Sequence, residues 1–191
     1  MTNEQHQSDY LDPYRRAVRD GGARFESLLW HSPEAQQKRF DVMIDCCELL
    51  GRVVVDLGAG LGDLARRMHE RGVEYGRYIG VEGVDPLAAE ARRRLADLPE
   101  CEIRSGDFVA DATLFDRLVK HDRAEVFAFS GSLNTLEQPD AERVLDRAWD
   151  AVSRVRGGQL VFNFLSDRST RSREPTGPAR RFDTHRLVGW A

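Results

Sequence analysis

Hydrophobic positions follow two periods along this chain. Short unbroken apolar runs alternate with longer stretches in which apolar residues return every three or four positions. Val53-Val54-Val55 is one such run, Tyr78–Glu82, Glu125–Phe129 and Gln159–Leu165 contain others, and with the short Glu102-Ile103-Arg104 segment they predict five strands. The continuous β-branched triplet at 53–55 predicts a strand buried on both faces. Between the runs, Leu64, Ala65 and Met68 recur at helical spacing, as do Leu87, Ala91 and Leu95 within Pro86–Leu98. Ala112–His121 and Pro139–Val155 predict two further helices, the second ended by Gly157-Gly158. Regular β-α alternation implies right-handed crossovers and a doubly wound, mostly parallel α/β sheet.

Upstream of the first strand the pattern is helical. Residues from Pro13 predict a short helix, a break at Gly21-Gly22 and a second helical piece ending near Trp30. Ser32-Pro33-Glu34 combines an N-cap, a proline at the first helical position and an acid in the first turn. The helix it starts places Phe40, Met43, Ile44, Cys47 and Leu50 on one face and stops at Gly51. Residues 1–11 are polar and predicted to be loose. The division is a helical extension or lid over 1–50 and an α/β domain over 51–191. After the fifth strand, Arg168–Arg181 reads as a polar Arg/Ser/Pro-rich loop, and a helix from Phe182-Asp183-Thr184 stops at Trp190-Ala191. Leu160, Val161, Phe162, Phe164 and Leu165 would then leave an apolar sheet edge. The expectation is that a second copy covers that edge or that the chain is part of a longer one.

Composition narrows the partners more than the chemistry. At 191 residues the chain suits one domain, with 41% hydrophobic and 31% charged residues. A net charge of −4 argues against a protein whose main task is gripping nucleic acid. No apolar run approaches a membrane span and the first residues lack the order of a signal peptide, so a cytoplasmic protein is expected. Cys46, Cys47 and Cys101 form no C-x-x-C pair, and His6, His31, His69, His121 and His185 lack ligand spacing, so no structural metal is expected.

The candidate chemistry starts at Val53–Met68, which reads strand, glycine turn, helix. Asp56 ends the apolar run, and Gly58, Gly60 and Gly62 follow at alternate positions. Glycines let a ligand approach the backbone, and a helix start offers N–H groups. A dinucleotide turn is G-x-G-x-x-G, but the position of its third glycine is Asp63. In an open α/β sheet, ligands sit at the carboxyl ends of the strands. Here those ends supply Asp56, Glu82-Gly83, Asp107-Phe108 and Ser130-Gly131-Ser132. Asp107 is equally a turn or helix cap. Asn163, a polar residue in the apolar fifth strand, needs a hydrogen-bond partner, either a structural tie or a substrate.

An acid at the strand end followed by G-x-G-x-G resembles motif I of the class I S-adenosylmethionine (SAM) methyltransferases. LLWHSPEAQQKRF before it and FNFLSD after the fifth strand are similar to a bacterial subgroup of that family. The resemblance implies strand order 3-2-1-4-5, and two closing strands that do not appear before residue 191. It implies SAM as cofactor, S-adenosylhomocysteine (SAH) as product, and a cradle of Asp56, Gly58, Ala59, Gly60 and Gly62. Glu82 and Gly83 would meet the ribose, Asp107 the adenine amino group and Phe108 the ring. Ser130 and Gly131 would lie near the transferring methyl, and Arg39, on one helix face with Gln36, would hold the SAM carboxylate. Tyr14, Phe25 and Trp30 form a candidate partial lid, with core packing the favoured role for Phe25. No catalytic base is assigned; His31 and Asn134 are the candidates. The implied activity is methyl transfer to a small-molecule acceptor, the alternative being a SAM- or SAH-binding scaffold or regulator without catalysis. An NAD-dependent oxidoreductase is disfavoured by Asp63.

Overall fold

The computed structural model describes residues 9–168 and 177–190, Asp9 through its backbone alone. A 3-10 turn at Asp9–Leu11 leads into α1 (Asp12–Gly21), and a second at Phe25–Leu28 precedes α2 (Pro33–Asp45). Then follow β1 (Val53–Leu57), α3 (Asp63–Glu70), β2 (Arg77–Glu82), α4 (Asp85–Arg94) and β3 (Cys101–Ser105). The chain continues through α5 (Leu114–Asp122), β4 (Val126–Ser130), α6 (Gln138–Val152), β5 (Gln159–Asn163) and α7 (Thr184–Trp190). The five strands form one sheet in the order β3-β2-β1-β4-β5, and every neighbouring pair is parallel.

Side-chain alternation along the strands builds two cores. Val55, Leu57, Ile79, Val81, Phe127 and Phe129 face one way and pack with α5, α6 and the N-terminal turns. Val54, Tyr78, Val126 and Ala128 face the other way, against α2, α3 and α4. Asp56 shares the parity of Val54 and is the polar interruption of that face.

Several boundaries differ from the sequence expectation. Helix α2 ends at Asp45 rather than at Gly51, and the segment after it is tied to Gln159 at the start of β5, which engages the Glu48 backbone twice. Its Oε1 accepts from Glu48 N–H and its Nε2 donates to Glu48 O, each at 2.9 Å. Leu49 is buried, and Leu50 is 74% exposed instead of lying on the apolar face. Residues 9–11, expected to be loose, are packed: Tyr10 and Leu11 are buried against the sheet end, while 1–8 lie outside the described residues. The expected polar loop lies partly outside them too, over 169–176. The apolar face of β5 is covered from within the chain. Phe162 meets Trp190 edge-on at 5.9 Å, and Phe164 stacks on Phe182, which is buried.

Candidate functional site

The carboxyl ends of β1, β2, β4 and β5 open into a cleft of about 850 Å³, walled on the opposite side by the N-terminal turns and α2. Asp56, Gly58, Ala59, Gly60, Glu82, Gly83, Phe108, Ser130, Gly131, Arg39, His31 and Asn134 all line it, so most of the residues singled out in the sequence converge on one space. Gly62 and Asp107 do not line it. Gly62 (φ +77°) starts α3, and a Cβ there would meet Leu95 at 2.6 Å. Asp107 Oδ1 accepts from Val109 and Ala110 N–H and from the Tyr10 hydroxyl at 2.7 Å, which is the turn-capping role.

The glycine turn is wired to β2, not held open for an anion. Gly58 and Ala59 N–H donate to Val81 O, and Gly60 N–H donates to Glu82 Oε2 at 2.7 Å. The N–H groups that would cradle a pyrophosphate are therefore consumed. Asp63, the first residue of α3, puts a carboxylate at the helix start where a dinucleotide turn has its third glycine, held by Arg94 at 2.6 Å and by the Gln36 amide at 3.3 Å. Both features work against dinucleotide binding.

Two buried carboxyl groups form the floor. Glu82 Oε1 accepts from Val84 N–H at 2.9 Å, and Asp56 Oδ2 accepts from the Tyr78 hydroxyl at 2.7 Å. Desolvation pushes Asp56 up to about 7, opposed by the Tyr78 hydrogen bond and reinforced by Glu82 and Asp63. Burial likewise pushes Glu82 up to about 7 against its backbone donors. No cation contributes to either shift, so the floor favours a ligand that brings positive charge or hydroxyl donors.

The facing wall carries Arg39, half-buried, its guanidinium 5.2 Å from the Trp30 ring centre. Burial holds it below its ordinary range. It makes no ion pair among the described residues, and Nη1 donates to Asn163 Oδ1 at 3.3 Å. His31 is exposed at the rim, and Asn134 is buried beside the β4 loop. Tyr14 also lines the cleft, and its phenol is pushed up to about 12, chiefly by burial. Tyr10 and Leu11 escaped the sequence reading because they sit in a polar stretch with no period. Only their contacts with Asp107 and at Gly83, where a Cβ would meet Leu11 at 2.9 Å, reveal them.

No protein-family model and no curated protein matches the chain. Solved structures do. A phosphoethanolamine N-methyltransferase of Haemonchus contortus, in complex with phosphoethanolamine and SAH, is 15% identical with a TM-score of 0.69, over 98% of this chain and 40% of its own. A SAM-dependent methyltransferase of Leishmania major is 18% identical with a TM-score of 0.65, over 97% and 76%. An O-methyltransferase family protein of Burkholderia thailandensis is 20% identical with a TM-score of 0.59, over 97% and 62%. The chain thus spans about two-fifths of the first of these structures and three-quarters of the second. At these identities the likeness concerns the fold, and the strand order, the parallel sheet and the flanking helices are those of the class I methyltransferases.

Proposed function

We propose that the protein is a SAM-dependent methyltransferase acting on a small-molecule acceptor. The observation that carries this reading is the polarity of the cleft: on its floor two buried carboxyl groups that accept hydrogen bonds but meet no cation among the described residues, and on the opposite wall a half-buried arginine without an ion pair among those residues. A ligand complementary to that arrangement bears a cation, a pair of hydroxyls and a carboxylate, as SAM does. The donor set fits it. Glu82 would accept from the ribose hydroxyls, Asp56 would face the ammonium end, and Arg39 would take the carboxylate. Phe108 supplies an apolar surface for the adenine. The likeness in fold to methyltransferases, one of them solved with SAH, supports the same ligand.

Bound there, SAM supplies an electrophilic methyl on a sulfonium, which an acceptor lone pair takes in line while the sulfur keeps the bonding pair. The chain's contribution is orientation and exclusion of water. Ser130 and Gly131, small residues lining the cleft, would leave room beside the methyl, and the N-terminal segment that puts Tyr14 and Trp30 on the cleft would act as the lid. An acceptor with a free lone pair needs no base, and none is assigned: His31 and Asn134 stay candidates. The reading includes a cytoplasmic protein and pairing of the outer edge of β5 with a second copy, which light scattering tests.

Thermal shifts with SAM, SAH and NAD, followed by methyl release with pooled metabolites, test the function. SAM and SAH are expected to stabilise the protein and NAD to leave it unchanged; stabilisation by NAD alone would overturn the reading. SAM binding with no methyl release to any acceptor would favour the non-catalytic scaffold. Glu82→Ala is expected to weaken SAM by about 1–3 kcal/mol, the cost of stranding hydrogen-bond partners of a charged group. Calorimetry checks it, and unchanged affinity would remove Glu82 from the ribose.

A further inference from the structure

Asn163 at the end of β5 uses every hydrogen-bonding position of its amide. Its Oδ1 accepts from Gly131 N–H at 3.1 Å and from Arg39 Nη1 at 3.3 Å. Its Nδ2 donates to Ser130 Oγ at 2.8 Å and contacts the Met43 sulfur at 3.0 Å. One side chain therefore joins three walls of the cleft: β5, the turn after β4, and α2, which carries both Arg39 and Met43.

We propose that Asn163 is a positioning residue that aims Arg39 at the anionic end of the ligand and keeps its charge available; this rests on the SAM reading given above. A guanidinium held by a carboxylate is neutralised in place, as Arg67 is by Asp41 on the neighbouring helix at 2.8 Å. An amide oxygen orients the same group and leaves its charge unspent. Trp30 beneath the guanidinium restrains it from a second side without consuming that charge. Gly131, held by the same Asn163 oxygen, is at φ +73°, and a Cβ there would meet the Trp30 ring at 2.8 Å, so the amide also fixes the surface on which that ring rests.

The test is the ratio of affinities for SAH and 5′-methylthioadenosine, two thioethers of which only SAH carries the amino-acid end. Calorimetry is run on the wild type, Asn163→Asp, Asn163→Ala and Arg39→Ala. Asn163→Asp keeps size and shape but puts a carboxylate on Arg39. It is expected to weaken SAH tenfold or more while leaving methylthioadenosine within twofold, as is Arg39→Ala. Asn163→Ala is expected to give a smaller selective loss, because the arginine is freed but not neutralised. A selective loss in Arg39→Ala with none in Asn163→Asp would overturn the positioning role and leave the SAM reading standing. Equal losses of both ligands in Asn163→Asp would reduce Asn163 to a structural tie. No selective loss in Arg39→Ala would overturn the assignment of Arg39 itself. Methylthioadenosine affinity reports folding of the cleft, so a variant that fails to fold is recognised, and the isosteric Asn163→Asp carries the comparison.

Discussion

Gly58→Ala is expected to destabilise the protein by about 2–5 kcal/mol. Gly58 follows β1 directly at φ +83°, a left-handed conformation that costs an L residue roughly 1–2 kcal/mol. The added Cβ would also lie 2.4 Å from Ser132 Cβ and 3.6 Å from the Phe108 ring. Relieving that overlap means moving the β4 turn away from the glycine turn, an overpacking cost of about 1–3 kcal/mol. Gly72→Ala is the matched control: it has φ +65° with nothing within 4 Å, so only the backbone term applies. Urea unfolding of both variants measures the difference. Equal losses would mean that the β4 turn yields to the added methyl without cost and that the contact of Ser132 with Gly58 contributes nothing.

The second large effect is on pH. In the folded, ligand-free protein Asp56 and Glu82 hold protons up to about pH 7, whereas in the unfolded chain they ionise in the ordinary carboxylate range. The native state then binds more protons than the unfolded state between those limits, so stability falls as pH rises through that window and levels off above it. Between pH 5 and 8 the loss from Asp56 alone is on the order of 2–3 kcal/mol. Asp41, Asp97, Glu102 and Asp122 behave oppositely. Arginine hydrogen bonds hold them below the usual range, so their contribution is lost only in acid. Asp56→Asn is expected to flatten the slope between pH 5 and 8, and Glu82→Gln to flatten it further in the double variant. Thermal midpoints across that range check this. A wild-type slope that survives in Asp56→Asn would show that Asp56 is ionised in the native state, and the histidines, common to both proteins, cancel from the comparison.

The strands were legible because their chemistry is local and periodic, whereas their order followed only from the resemblance of the glycine turn to motif I. The valine triplet has to be covered on both faces, and Val54 and Val55 do fall into opposite cores. Residues at strand ends were equally legible, since parallel strands bring their carboxyl ends to one side whatever the helices do. What failed depended on partners distant in sequence. Helix α2 ends before the Gly51 that local pattern favoured, and the segment between them is tied to Gln159, more than a hundred residues downstream. Tyr10 and Leu11 are buried by the sheet end they pack on, not by any period of their own. Asp107 shows the limit of motif reading, because a carboxylate after a strand serves a turn as readily as a ligand, and the donors around it decide. Asn163 gave the reverse case: a polar residue in an apolar strand announced that partners existed without saying which.

Calorimetric titration of SAM into the protein tests most directly whether the cleft floor takes a cationic adenosyl ligand. One saturable site per chain is expected, displaced by SAH, weakened by Glu82→Ala and silent towards NAD. Absence of saturable SAM binding, or binding of NAD at the same site, would contradict it.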